Sequence, residues 1–154
     1  MLDILIILVF IFILVWISIQ DIKTMLIPDK MIILGICIGI IYVSSWQDAL
    51  WGILAGALPL IIIDLLVKLF LKKDGFGYGD VKLMAMSGLF IGYIGVIIAF
   101  FIACITAGAF ATYLLITKQA KSGNYIPFAP FLSFGIIIAL IIGIGGFYDF
   151  RNWS

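Results

Sequence analysis

The chain has 154 residues, 66% of them apolar and 11% charged, with a mean hydropathy of +1.35. Soluble globular domains carry roughly 45–50% apolar and about 25% charged residues, so this composition excludes a water-soluble fold and belongs in lipid. The expected architecture is all-α, a polytopic bundle of about six transmembrane helices forming one membrane-embedded domain over residues 1–154.

Taken in chain order, the polar residues, Gly and Pro predict spans near 2–20, 31–46, 49–71, 81–92, 94–117 and 130–148. The first run follows Asp3 rather than Lys or Arg and lacks a small-x-small cleavage site, so it reads as a retained span and not a signal peptide. Cys37 in the second span and Cys104 in the fifth each stand alone in apolar runs. They read as buried small hydrophobes, with no disulfide and no zinc site. In the third span Asp64 and Lys68 are spaced i, i+4 with the acid first, which predicts an ion pair facing the bundle. The stretch from Val81 to Ile116 would run ~54 Å as one helix, too long for a single crossing. A break at Gly92-Tyr93-Ile94-Gly95 divides it into a short fourth span and a full fifth one.

Six spans put Lys23, Lys30, Lys68, Lys72, Lys73, Lys82, Lys118 and Lys121 on one side and leave Arg151 opposite. That bias makes the lysine-rich side cytosolic and places both termini outside, whereas five spans would weaken the bias. Asp3, Asp48 and Asp149 then lie outside, Asp64 within the third span, and Asp21, Asp29, Asp74 and Asp80 at the cytosolic face.

Histidine and glutamate are both absent, and all eight acids are aspartates. His-dependent dyads and HExxH metal sites are thereby excluded, and acid–base chemistry near neutral pH falls to the aspartates. Two constellations stand out. In the first, Asp21 ends the first span, and Ile27-Pro28-Asp29 opens the second with Asp29 in the position of an N-cap. In the second, Gly75-Phe76-Gly77-Tyr78-Gly79-Asp80-Val81-Lys82-Leu83 leads into the short fourth span. Alternate glycines let that backbone approach another chain or adopt positive φ. Residues 81–92 span only ~18 Å as a helix, which draws Asp80 below the cytosolic surface.

These segments resemble the type IV prepilin peptidases, GxGD-type membrane aspartyl proteases of pili, pseudopili and type II secretion systems. Asp21 with Ile27-Pro28-Asp29 looks like the first catalytic motif of that family, and Gly77-Tyr78-Gly79-Asp80-Val81-Lys82-Leu83 looks like the second. Pro127-Phe128-Ala129-Pro130-Phe131-Leu132 is similar to the Pro-Phe motif that opens its last span. The resemblance implies a catalytic pair Asp21 and Asp80, with Gly77, Gly79, Lys82, Pro127, Phe128 and Pro130 binding substrate or supporting the site. It implies endopeptidase cleavage of a prepilin or pseudopilin, after the Gly that ends a basic leader and before a hydrophobic helix with Glu near its start. The partners are that N-terminal segment and membrane lipid, without nucleic acid. Neither a cofactor nor a metal is implied, and the location is the cytoplasmic membrane, multi-pass, with the site facing the cytosol. The paired CxxC insert of longer bacterial members is absent here, which puts their methyltransferase activity in doubt.

Two carboxylates within a few Å in a poorly solvated cleft cannot both ionise, so the pair is expected to share one proton. Lys82, a cation at a helix N-terminus, needs compensation: the dyad, a substrate carboxylate or anionic headgroups could each supply it. The alternative function is a small proton- or cation-coupled transporter using intramembrane aspartates, for which only Asp64 is suitably placed.

Overall fold

The computed structural model describes residues 2–43, 45–72, 77–118 and 126–144, and among them the chain is all-helical. Five helices follow in order: α1 (Leu2–Thr24), α2 (Asp29–Tyr42), α3 (Trp46–Leu71), α4 (Tyr78–Ile116) and α5 (Ala129–Ile144). α1, α3 and α4 are long and apolar enough to cross a membrane, by length and composition. Their outward residues say the same: Leu5, Phe12, Leu65, Leu69 and Ile105 are all exposed, an arrangement that suits hydrocarbon and not water.

Helices occupy the stretches where spans are expected, with shifted ends. α1 continues to Thr24, α2 starts and stops earlier than residues 31–46, and α3 begins at Trp46, where the Ser45 hydroxyl accepts from the Asp48 N–H at 3.4 Å. The single helix α4 is interrupted at Gly92, whose φ of 60° and ψ of −175° are non-helical and essentially restricted to glycine. The expected break therefore exists, and it divides α4 into segments 78–91 and 93–116.

Packing contacts give the direction of each segment. Gly35 and Gly39 of α2 lie against Met86 and against Leu89 and Phe90, so α2 runs parallel to segment 78–91. Gly52 and Gly56 of α3 lie against Gly88 and Met84, so α3 runs antiparallel to it. The tilted ring pair Phe110–Phe131, with Gly135 seated against the Ala99 backbone, sets segment 93–116 antiparallel to α5. Ala129 on Asp21 and Ser133 on the Leu14 carbonyl set α5 antiparallel to α1. Phe10 on Phe90, with Asp21 and Asp80 at one cavity, sets α1 antiparallel to segment 78–91, so the described helical segments alternate in direction and the chain reverses at Gly92. A Cβ on Gly52 would come within 2.5 Å of the Gly88 carbonyl oxygen, the close backbone approach that small residues allow between membrane helices.

The core is a band of aliphatic and aromatic side chains centred on Phe10 of α1, stacked at 3.8 Å on Phe90 of α4, with Tyr42 of α2 beside them. Buried residues of α1 fall at 10, 13, 14, 17 and 21, and those of segment 78–91 at 80, 83, 84, 87 and 91 among others. The α1 series follows helical spacing, whereas segment 78–91 is buried all round from Met86 to Ile91; each reaches an aspartate toward the same end of the bundle. Cys37 and Cys104 correct the expectation of burial. Both are exposed free thiols on the outer surface, where an apolar lining offers a small, weakly polar side chain the same environment as a core.

Candidate active site

Asp21 and Asp80 line one cavity of about 770 Å³ at the end of the bundle where α1 stops and α4 starts. Their residues are 7% and 8% exposed, burial that is rare for aspartate without partners. Asp21 is therefore not a solvated helix end: the core stripe of α1 carries it inward.

Each aspartate is anchored differently. Asp80 sits in the first turn of α4, where its backbone N–H donates to the Gly77 carbonyl at 3.0 Å. The Asp21 carboxylate accepts the Ala129 N–H at 3.1 Å, at the start of α5. That N–H belongs to the helix's first turn and has no intrahelical acceptor, so Asp21 caps α5 from another helix. The same contact gives the Pro-Phe segment its place. Pro127 and Phe128 line the cavity, and the Phe128 carbonyl accepts from Phe131 and Leu132 to start the helix. Pro130, in the first turn of α5, is not among the lining residues; its fixed φ suits a helix start.

The two supporting glycines separate. A Cβ on Gly79 would lie 2.8 Å from Cβ of Ile27, so only glycine lets the second motif come this close to the first. Gly77 has an ordinary extended backbone, φ −71° and ψ 140°, and a Cβ there would meet nothing nearer than the Asp80 carboxylate at 3.7 Å. Neither space nor dihedral requires glycine at 77.

Asp29 corrects the capping expectation. Pro28 occupies the N-cap of α2 without a side-chain hydrogen bond, and Asp29 is the first helical residue. Its carboxylate instead accepts from the Lys82 ammonium at 2.7 Å. Lys82 thus has its compensating carboxylate inside the protein, and it is neither member of the Asp21–Asp80 pair. Lys68 was read only as a structural partner. Its ammonium lies 2.7 Å from Asp64, as expected, and also 5.1 Å from the Tyr78 ring centre, and it lines the cavity. Asp74, Gly75 and Phe76 lie outside the described residues. No cluster of side chains suited to a metal ion occurs among the described residues.

Comparison with known proteins bears on this geometry. The sequence profile of the Type IV leader peptidase family matches residues 8–112, a stretch that carries Asp21, Asp29, Asp80 and Lys82. The chain belongs to the type IV leader peptidase family. It is 34% identical over 131 residues to the prepilin leader peptidase/N-methyltransferase of Stutzerimonas stutzeri and 33% identical over 131 residues to that of Pseudomonas aeruginosa. Each alignment covers 82% of this chain and 45% of the relative, so the chain spans under half the length of these two type IV leader peptidases. Leader peptidase HopD of Salmonella typhimurium is 31% identical over 122 residues, which cover 75% of this chain and 79% of that protein. No solved structure matches at a significant level.

Proposed function

We propose that this chain is a membrane aspartyl endopeptidase that removes the leader of a type IV prepilin or pseudopilin, with Asp21 and Asp80 as its catalytic pair. The observation that carries the reading is the burial of these two aspartates, from distant parts of the chain, in one cavity of a leader-peptidase-family bundle. Two buried carboxylates that meet across one cavity cannot both ionise, and in this reading they hold one proton between them. The ionised member takes a proton from water as its oxygen attacks the scissile carbonyl, while the protonated member donates to the carbonyl oxygen. Collapse of the resulting diol returns a proton to the leaving amine, so water is consumed and no covalent intermediate forms.

Six crossings with both termini outside place the cavity at the cytosolic membrane face. The alternating directions of the six segments and the lysine bias of the cavity side support this topology. The transporter reading loses its support, because its one suitably placed acid, Asp64, is paired with Lys68.

Purified protein in lipid, incubated with a prepilin, tests the proposal by N-terminal sequencing of the product. Cleavage after the leader glycine is expected. An intact substrate with folded enzyme would overturn the assignment.

A further inference from the structure

The aspartates of the proposed dyad sit on helices that are not packed backbone to backbone. No Cα of α1 lies within 8 Å of one of α4; the two helices meet through long side chains such as Phe10 and Phe90. The separation of Asp21 from Asp80 is therefore set through intermediates, chiefly α2 and α5. α2 follows Asp21 after a connector that turns at Met25, with φ of 53°, and ends in Pro28, whose backbone is extended. Its glycine contacts with α4, Gly35 on Met86 and Gly39 on Phe90, lie along the helix away from the cavity. At the cavity end two contacts join the connector side to the start of α4: Ile27 against Gly79, and Asp29 with Lys82.

We infer that the Asp29–Lys82 ion pair is a strut that sets the spacing of the two carboxylates, making Asp29 and Lys82 positioning residues rather than catalytic ones. Lys82 follows Asp80 in the first turns of α4, where a cation opposes the helix dipole, whereas Asp29 in the first turn of α2 is favoured by it. The placement of Lys82 makes sense by what it reaches. The side chains are 49% and 65% exposed, so the pair adds little to global stability. Its effect is local, at an end of the bundle where a displacement of one ångström is enough to slow a reaction that depends on two groups in register.

The inference rests on the proposed peptidase function for its kinetic readout, so a second readout is independent of activity. Nitroxide labels at the exposed positions Leu26 and Tyr78, in a background with Cys37→Ala and Cys104→Ala, report the distance between the two motifs. In Lys82→Met and in Asp29→Ala the distance distribution widens, kcat on a prepilin falls about tenfold with KM within about twofold, and the melting temperature stays put. The double variant is no worse than either single one. Lys82→Arg and the charge-swapped Asp29→Lys/Lys82→Asp protein narrow the distribution and recover kcat to within about threefold. Unchanged label distances in both single variants overturn the strut, whatever the kinetics. A raised KM at unchanged kcat also overturns it, since the pair would then contact substrate. Because Leu26 and Tyr78 line the cavity, kinetics are read on unlabelled protein; folded, unlabelled wild type that does not cleave overturns the peptidase reading alone.

Discussion

Asp21 caps α5 and, in the proposed mechanism, belongs to the catalytic pair, two roles that substitution can separate. Asparagine keeps a side-chain oxygen for the Ala129 N–H, so Asp21→Asn should fold as well as wild type; Asp21→Ala loses the cap and should cost about 1 kcal/mol of stability. Thermal or denaturant unfolding in detergent compares the two. The glycines divide in the same way. Gly79→Ala drives a methyl into Ile27 and should cut activity strongly by parting the motifs, whereas Gly77→Ala has room and should retain most of it. Much of this was hidden in the sequence. α1 is apolar nearly all round, so the spacing of Phe10, Leu14, Ile17 and Asp21 has no polar face to contrast with, and the inward direction of Asp21 is not legible from periodicity. Asp29 read as a cap because Pro-Asp before an apolar run is a helix-start signal, and its partner Lys82 lies 53 positions away, beyond any local pattern.

The helices were more legible than their ends. The break in α4 followed from length alone, and Gly92 fulfils it in a conformation other residues rarely adopt. Gly92→Ala should therefore destabilise the protein by about 1–3 kcal/mol, read as a lower melting temperature, although a Cβ there meets no neighbour within 4 Å. The ion pair in α3 was equally readable, being a local i, i+4 signal. With Asp64 only 14% exposed at its side chain, Asp64→Asn removes the charge that faces the Lys68 ammonium; melting temperature should fall while cleavage remains measurable. What the pattern could not supply was α3–α4 register. Gly52, Gly56 and Gly88 resemble any other small residues in an apolar run until their backbones are seen to touch.

At the scale of the molecule, composition points to lipid and the lysine distribution supports the proposed orientation, but neither says which residues meet. The cavity gathers the end of α1, the starts of α2, α4 and α5, and Lys68 near the end of α3, because alternating segments return to the same face. In the proposed mechanism that convergence makes Asp21 and Asp80 a unit, and a unit has a kinetic signature. The most direct measurement is kcat/KM for prepilin cleavage by wild type, Asp21→Asn, Asp80→Asn and the double variant, across pH. Each single variant should lose nearly all activity while remaining folded, and the double should be hardly worse, since the losses of groups acting together do not add. The wild-type profile should be bell-shaped, because one carboxylate must be ionised and the other protonated. Substantial activity in either single variant, or losses that multiply in the double, would contradict a shared-proton dyad.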